Sequence, residues 1–175
     1  MSKYFYILNR SEVKSFFDLN LNFRNLVSHQ NDGAMKVRDI LKRKGNSVIT
    51  VHPQQTVLDV LKILAEHNIG GVLVKDGDKL LGIFTERDYA RKIILKGKSS
   101  ADIKVSDVMV TNLYTVTPDD EVHHCMRLMT DTRIRHLPVL EDGRLAGFIS
   151  IGDVVKTVID EQQQVIEHLE LYISR

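Results

Sequence analysis

The segment Gly82-Ile83-Phe84-Thr85-Glu86-Arg87-Asp88 returns as Gly147-Phe148-Ile149-Ser150-Ile151-Gly152-Asp153, 65 positions further on (147 − 82 = 65). The same shift carries Pro53 to Pro118, Val57 to Val122, Ile69 to Ile134, Val74 to Val139, Leu80 to Leu145 and Ile94 to Ile159. A duplication with only two copies narrows the folds open to the chain. Neither copy buries its apolar face alone and a solenoid needs about three or more repeats, so the two units are expected to close on one another. Upstream the shift becomes 68, from Val37 and Asp39 to Val105 and Asp107 (105 − 37 = 68). One copy therefore has three residues more than the other (68 − 65 = 3), and the loop holding Lys44-Gly45-Asn46 is where the change is expected.

Both copies show the same order of local signals. A leading segment, 37–41 or 105–109, precedes a short strand, Val48-Ile49-Thr50-Val51 or Tyr114-Thr115-Val116-Thr117, stopped by Pro53 or Pro118 because proline has no N–H for strand pairing. Val57, Val60, Leu61 and Leu64 then recur at helical spacing, matched by Val122, Cys125, Met126 and Met129, so each copy carries an amphipathic helix with one buried stripe. Thr56 with Asp59, and Asp119 or Asp120, are the expected helix starts. Two strands follow, 72–75 with 80–84 and 137–140 with 145–149, joined by Asp76-Gly77-Asp78 and Glu141-Asp142-Gly143, both hairpin signals. A second helix opens at Thr85 or Ser150. The expected fold is α+β, two β-α-β-β-α units with an N-terminal extension and a long C-terminal helix. The expected boundaries are an extension over 1–36, repeats at 37–95 and 105–160, a polar linker at 96–104 and a helical extension at 161–175. Met35 stands directly before the first repeat and is a candidate native start. In the last helix Val158, Gln162, Val165, Leu169 and Tyr172, flanked by Ile159, Ile166 and Ile173, form a stripe too apolar to be left in water.

The remaining composition mostly excludes. With 24 basic and 23 acidic residues there is no global pull toward nucleic acid or an anionic membrane. No apolar run reaches the roughly 18 residues of a membrane span, and the start lacks a persuasive signal peptide, so a cytoplasmic location is expected. A single cysteine, Cys125, excludes an internal disulfide and a multi-cysteine zinc site. No metal is expected. His123-His124-Cys125 points its side chains in different directions on a helix, with Cys125 on the buried stripe. The basic groups at 36–44 and 91–98 are expected to be solvated faces, and they lack the interleaved aromatics of a nucleic-acid track. Asp76-Gly77-Asp78 lacks the downstream ligands of a calcium loop, and Phe148 stands where a nucleophile elbow around Ser150 would need glycine. No nucleophile, base or cofactor loop is arranged for catalysis, so the chain is expected not to be an enzyme.

The duplicated strand, helix, hairpin and helix, with Pro53 and Pro118 before the first helix and G-h-h-[T/S]-x-x-D at the second, resembles the cystathionine-β-synthase (CBS) domain pair over about residues 37 to 160. The stretches Asp76 to Arg91 and Arg133 to Val139 are similar to those of small stand-alone bacterial CBS-pair proteins. The resemblance implies two repeats packed about a pseudo-two-fold axis, two clefts for adenosine-containing ligands (AMP, ADP, ATP, NAD or S-adenosylmethionine), a homodimer, and a regulatory role with an unidentified protein target. From the balanced charge and the short apolar runs, no nucleic acid and no membrane partner is expected.

The chemistry of such a ligand suits these residues. A carboxylate can accept both hydroxyls of a ribose, the role expected of Asp88 and Asp153. Thr85 and Ser150 lie at helix starts, where hydroxyl and free N–H groups favour phosphate, with Arg87, Arg135 and His136 as the further phosphate groups. Gly82 and Gly147 leave room for close approach. By the resemblance, adenine is held near Thr50 or Thr115 and by Ile69-Gly70-Gly71 or Ile134 with its neighbours. Arg87 faces Gly152 in the alignment of copies, and Arg135-His136 faces Gly70-Gly71, so the clefts are unequal and the one with Thr85, Arg87 and Asp88 is expected to bind the more charged nucleotide. His136 is a candidate for titration near neutral pH. The competing reading takes Thr85-x-x-Asp88 and Ser150-x-x-Asp153 as capping boxes only, in a scaffold that dimerises without ligand.

Overall fold

The apolar periodicities of the two copies become two near-identical hairpin-and-helix units. The computed structural model describes residues 34–45 and 47–173, so nearly all of the expected N-terminal extension, Asn46 of the variable loop and the side chain of Tyr172 lie outside the described residues. Helix α1 (Val37–Lys44) leads into β1 (Thr50–Val51), α2 (Val57–Glu66), β2 (Gly71–Asp76), β3 (Lys79–Thr85) and α3 (Glu86–Lys92). Short 3-10 turns at Ile94–Lys96 and Val105–Asp107 connect to α4 (Val122–Thr132), β4 (His136–Glu141), β5 (Arg144–Ser150) and α5 (Ile151–Ile173).

The hairpins are in register with the duplication. Gly71 pairs with Thr85 in the first and His136 with Ser150 in the second, and the register slips after Val74 in one and after Val139 in the other. A positive φ at Gly77 turns the first hairpin, and positive φ at Asp142 and Gly143 turns the second, consistent with the turn residues. The leading strands are shorter than expected. Only Thr50 and Val51 pair with β2, in parallel, and the second copy keeps a single bridge, Val116 with Val139. The reason is chemical: Leu73, which pairs with Thr50, is replaced in the second copy by Pro138, which has no N–H for that rung.

The two copies exchange their leading segments. Val105 N–H donates to the Gln55 carbonyl (2.9 Å), Ser106 N–H to Pro53 (3.1 Å), and Val57 N–H to Ile103 (2.8 Å). The mirror set is Val37 to Asp120 (2.9 Å), Arg38 to Pro118 (2.8 Å) and Val122 to Met35 (2.9 Å). Val105 and Val108 are thereby buried in the core of the first copy with Val57, Val60, Val72, Val74 and Phe84. Reciprocally, α1 packs on β5 and α5. Each half thus completes its apolar core only with a piece of the other, which makes the pair one cooperative unit.

Helix starts follow the sequence in part. Thr56 caps α2, accepting from Asp59 N–H at 3.2 Å. At α4 the expectation fails: Glu121 occupies the N-cap position and makes no capping bond. Asp120 instead closes its own turn on Thr117 N–H (2.6 Å), and Asp119 pairs with Arg38 and Lys36. The Met35 carbonyl takes Val122 N–H at the start of α4, as the Ile103 carbonyl takes Val57 N–H at the capped start of α2. The basic run at 36–44 is largely exposed, as expected, and it also forms ion pairs. Arg43 reaches Asp160 (2.8 Å) and the buried Thr157 (2.7 Å), and Lys44 reaches Asp153 (2.7 Å), fastening α1 to the second copy. The three surplus residues fall at the end of α1 and in the connection after it, where the first copy continues as α-helix to Lys44 and the second ends its 3-10 turn at Asp107.

Candidate functional site

Both Thr/Ser-x-x-Asp motifs fold as the capping boxes their spacing encodes. Asp88 Oδ2 accepts from Thr85 N–H (3.2 Å) and Thr85 Oγ1 (2.6 Å), while its Oδ1 lies 3.0 Å from Lys92 Nζ. Asp153 Oδ2 accepts from Ser150 N–H (2.8 Å), Ser150 Oγ (2.8 Å) and Lys44 Nζ (2.7 Å). Their side chains are 16% and 24% exposed, so each carboxylate is turned in toward protein while one edge stays reachable. Burial raises the Asp153 pKa, but the Lys44 ammonium and the Ser150 donors outweigh it, and the group titrates below the ordinary carboxylate value.

A cleft of about 520 Å³ opens beside Asp88. Its first wall is Gly70, Ile83 and the start of α3 with Thr85, Glu86, Arg87, Asp88 and Arg91. Its second wall comes from the other copy, through 110–114 and then Arg133, Ile134, Arg135 and His136. Ile83 and Val110 exchange two backbone hydrogen bonds, Ile83 N–H to Val110 at 3.0 Å and Val110 N–H to Ile83 at 2.8 Å, which hold that wall in place. Arg87 crosses the cleft to the Arg133 carbonyl at 2.8 Å. Four arginines against Glu86 and Asp88 give the lining a formal charge of +2 (4 − 2 = 2), a field that attracts anions. Because α3 has only seven residues, this attraction belongs to the guanidinium groups rather than to a helix end.

Of the residues selected from sequence, Thr85, Arg87, Asp88, Gly70, Ile134, Arg135 and His136 line this one cleft. Thr50 and Thr115 are exposed and lie outside its lining, Ile69 packs against the core of the first copy, and Gly71 sits under His136. Ser150 and Asp153 lie on the pseudo-symmetric side with Lys44. Gly82 and Gly147 do admit a close approach, but of the chain itself: a Cβ at Gly82 would lie 2.8 Å from Met109 Sδ, and one at Gly147 2.5 Å from Leu41 Cδ2. His136 contradicts its expectation. Desolvation first, then the Lys44 and Arg135 charges, push its pKa down to about 4 against an opposing pull from Asp153, and its ring stacks on Phe148 at 5.4 Å. It is a neutral, packed imidazole at physiological pH.

Arg91, Arg133, Asn112 and Tyr114 were missed. Arg91 follows Arg87 by one helical turn, a signal present in the sequence. Arg133 reaches the cleft because it ends α4 in the left-handed conformation (φ 58°), which no residue pattern announced. Cys125 is buried in α4, as its place on the stripe implied. Among the described residues no three His, Cys, Asp or Glu side chains gather as a metal site, and no helix is long and apolar enough to cross a membrane.

The CBS domain family model matches residues 37–95 and 105–160. The chain is 44% identical over 147 residues to the mitochondrial CBS domain-containing protein CBSX3 of Arabidopsis thaliana, covering 79% of this chain and 71% of that protein. Among solved structures it is similar to a provisionally assigned signal-transduction protein with CBS domains from Burkholderia ambifaria, with a TM-score of 0.71 at 46% identity over 73% of this chain and 96% of the other. The CBS domain pair of protein MJ0100, in complex with 5′-methylthioadenosine and S-adenosyl-L-methionine, gives a TM-score of 0.65 at 28% identity over 74% of this chain and 99% of that one.

Proposed function

Because the chain belongs to the CBS-domain family, we propose that it is a non-catalytic regulatory module whose inter-repeat cleft takes a phosphorylated adenosine. The observation that carries this is the cleft itself, walled by both copies, with Asp88 at one side and four arginines around it. Its volume falls in the range of small-molecule sites, about 300–1,000 Å³. Asp88 Oδ1 lies outside the capping box and meets Lys92 Nζ at 3.0 Å, so a ribose hydroxyl would share that oxygen with the ammonium while Oδ2 keeps the helix start closed. Arg87, Arg91, Arg133 and Arg135 match the charge of phosphates and oppose a sulfonium cation. We therefore rank AMP, ADP, ATP and NAD above S-adenosylmethionine, although the similar MJ0100 pair holds the latter. A ligand that bridges both walls favours one relation of the two repeats over another, a population shift. The repeats at 37–95 and 105–160, the 96–104 linker and the 161–175 extension remain the proposed division of labour, in a cytoplasmic protein.

The test is calorimetric titration with AMP, ADP, ATP, NAD and S-adenosylmethionine, on the wild type and on Asp88→Asn. Binding of a phosphorylated adenosine weakened by ~1–3 kcal/mol in the variant, about 5- to 150-fold, is expected for loss of a charge-assisted contact. Unchanged affinity in Asp88→Asn would remove Asp88 from the site.

A second reading has its own observation. The capping boxes are complete with protein atoms alone, and Ile159, Ile166, Leu169, Leu171 and Ile173 stay exposed along α5. That stripe favours a homodimer through α5, with or without ligand, and absence of any nucleotide-induced thermal shift would select the scaffold role.

A further inference from the structure

We propose that Lys44 limits this chain to a single adenosine ligand by filling the second cleft with its own ammonium group, an inference that rests on the reading of the first cleft as an adenosine site. Pseudo-symmetry places the second cleft between Ser150-Ile151-Gly152-Asp153 and the Ile69-Gly70-Gly71 segment. Lys44 crosses this space from α1. Its Nζ donates to Asp153 Oδ2 at 2.7 Å and to the Phe148 carbonyl at 3.2 Å. In the first copy the equivalent carbonyl, Ile83, is taken by the backbone N–H of Val110 at 2.8 Å. In the second copy the Lys44 side chain thus meets the carbonyl that backbone meets in the first.

The cause is the three-residue surplus. Continuing α1 as helix to Lys44 brings a lysine to the Asp153 carboxylate and the Phe148 carbonyl of the second copy. Gly152 supplies none of the charge that Arg87 gives the first copy. The ammonium is held at once by Asp153 Oδ2 and the Phe148 carbonyl and comes from the opposite half, so a ligand entering here would have to break both bonds to clear it. At the first cleft the cation near Asp88 is Lys92, which comes from the same helix, donates also to the Val108 carbonyl at 2.6 Å and is not among the cleft's lining residues.

The experiment counts ADP sites per chain by calorimetry in the wild type, Lys44→Met and Lys44→Arg, with unfolding temperatures recorded to confirm that each is folded. The expected counts are one, two and one, and Lys44→Met/Asp88→Ala should keep one site that disappears when Asp153→Ala is added. One site in both the wild type and Lys44→Met overturns the role of Lys44 while leaving the first cleft intact as an adenosine site. Two sites in the wild type overturn it as well. No site in the wild type but one in Lys44→Met supports the role of Lys44 and refutes the reading of the first cleft, whereas none in any variant overturns both.

Discussion

Gly82→Ala tests whether the wall of the first cleft is set by backbone contact. An added Cβ would lie 2.8 Å from the Val110 carbonyl oxygen, 2.8 Å from Met109 Sδ and 3.0 Å from Met109 Cγ. Met109 can swing aside, but Val110 is fixed by its two bonds to Ile83. Relief requires parting β3 from 110–114. Overpacking costs ~1–3 kcal/mol, and weakening two backbone bonds without breaking them adds ~0.5 kcal/mol each, so about 2–4 kcal/mol is expected. At ~2–4 °C per kcal/mol for a chain of this size, the unfolding temperature should fall by roughly 5–15 °C. Gly147→Ala is the control. Its Cβ comes closer, 2.5 Å from Leu41 Cδ2, but what it meets is a side chain, whose rotamer change costs ~0.5–1.5 kcal/mol. Scanning calorimetry of both variants, with ADP titration, gives the comparison. Gly82→Ala should lose both stability and nucleotide affinity, and Gly147→Ala mainly a smaller amount of stability. A Gly82→Ala protein that melts within 2 °C of the wild type, or a larger loss in Gly147→Ala, refutes the reasoning.

Other outcomes follow from the same contacts. His136, with its folded pKa pushed to about 4 and an unfolded value near 6.5, binds its proton more readily in the unfolded chain. Its contribution to stability is therefore complete above about pH 6.5 and is lost as pH falls toward 4, on the order of 3 kcal/mol in all. Denaturant melts between pH 4 and 8 should show that slope and lose most of it in His136→Leu, and an imidazole NMR signal titrating near 6.5 contradicts the packing. Cys125, raised to about 12 by burial and then by Asp120, should resist a disulfide reagent at pH 8 until the protein unfolds; rapid labelling of the native protein would show that the α4 stripe is not closed. On α5, Ile166→Glu with Leu169→Glu should turn a dimer into a monomer in light scattering with little change in unfolding temperature, and unchanged mass means the stripe is not the dimer contact.

Much of the first cleft was legible because its chemistry is local. Thr85 and Asp88 lie three apart, the spacing of a capping box, and their recurrence at Ser150 and Asp153 marked both as equivalent. Arg135 and His136 were legible through the mismatch with Gly70-Gly71. Arg133 was not, because its direction depends on a left-handed residue at the end of α4. Asp119 and Asp120 misled because their sequence context suits a cap, yet the residue before α4 is Glu121, Asp120 accepts from Thr117 and Asp119 pairs with Arg38 and Lys36. The short second-copy strand had a visible cause in Pro138, which only alignment of the copies exposes.

By itself, then, the order of residues determined the repeated unit, its hairpin registers, its buried stripes and its two capping boxes, since each arises between residues a few positions apart or one repeat apart. The tertiary structure decided the rest: which copy owns which leading segment, that the arginines of both copies converge on one cleft, and that Lys44 reaches Asp153. Those are contacts between residues distant in the chain. Three extra residues at the end of α1 make equivalent carboxylates unequal, because they change what arrives from the opposite half rather than anything near the carboxylates themselves.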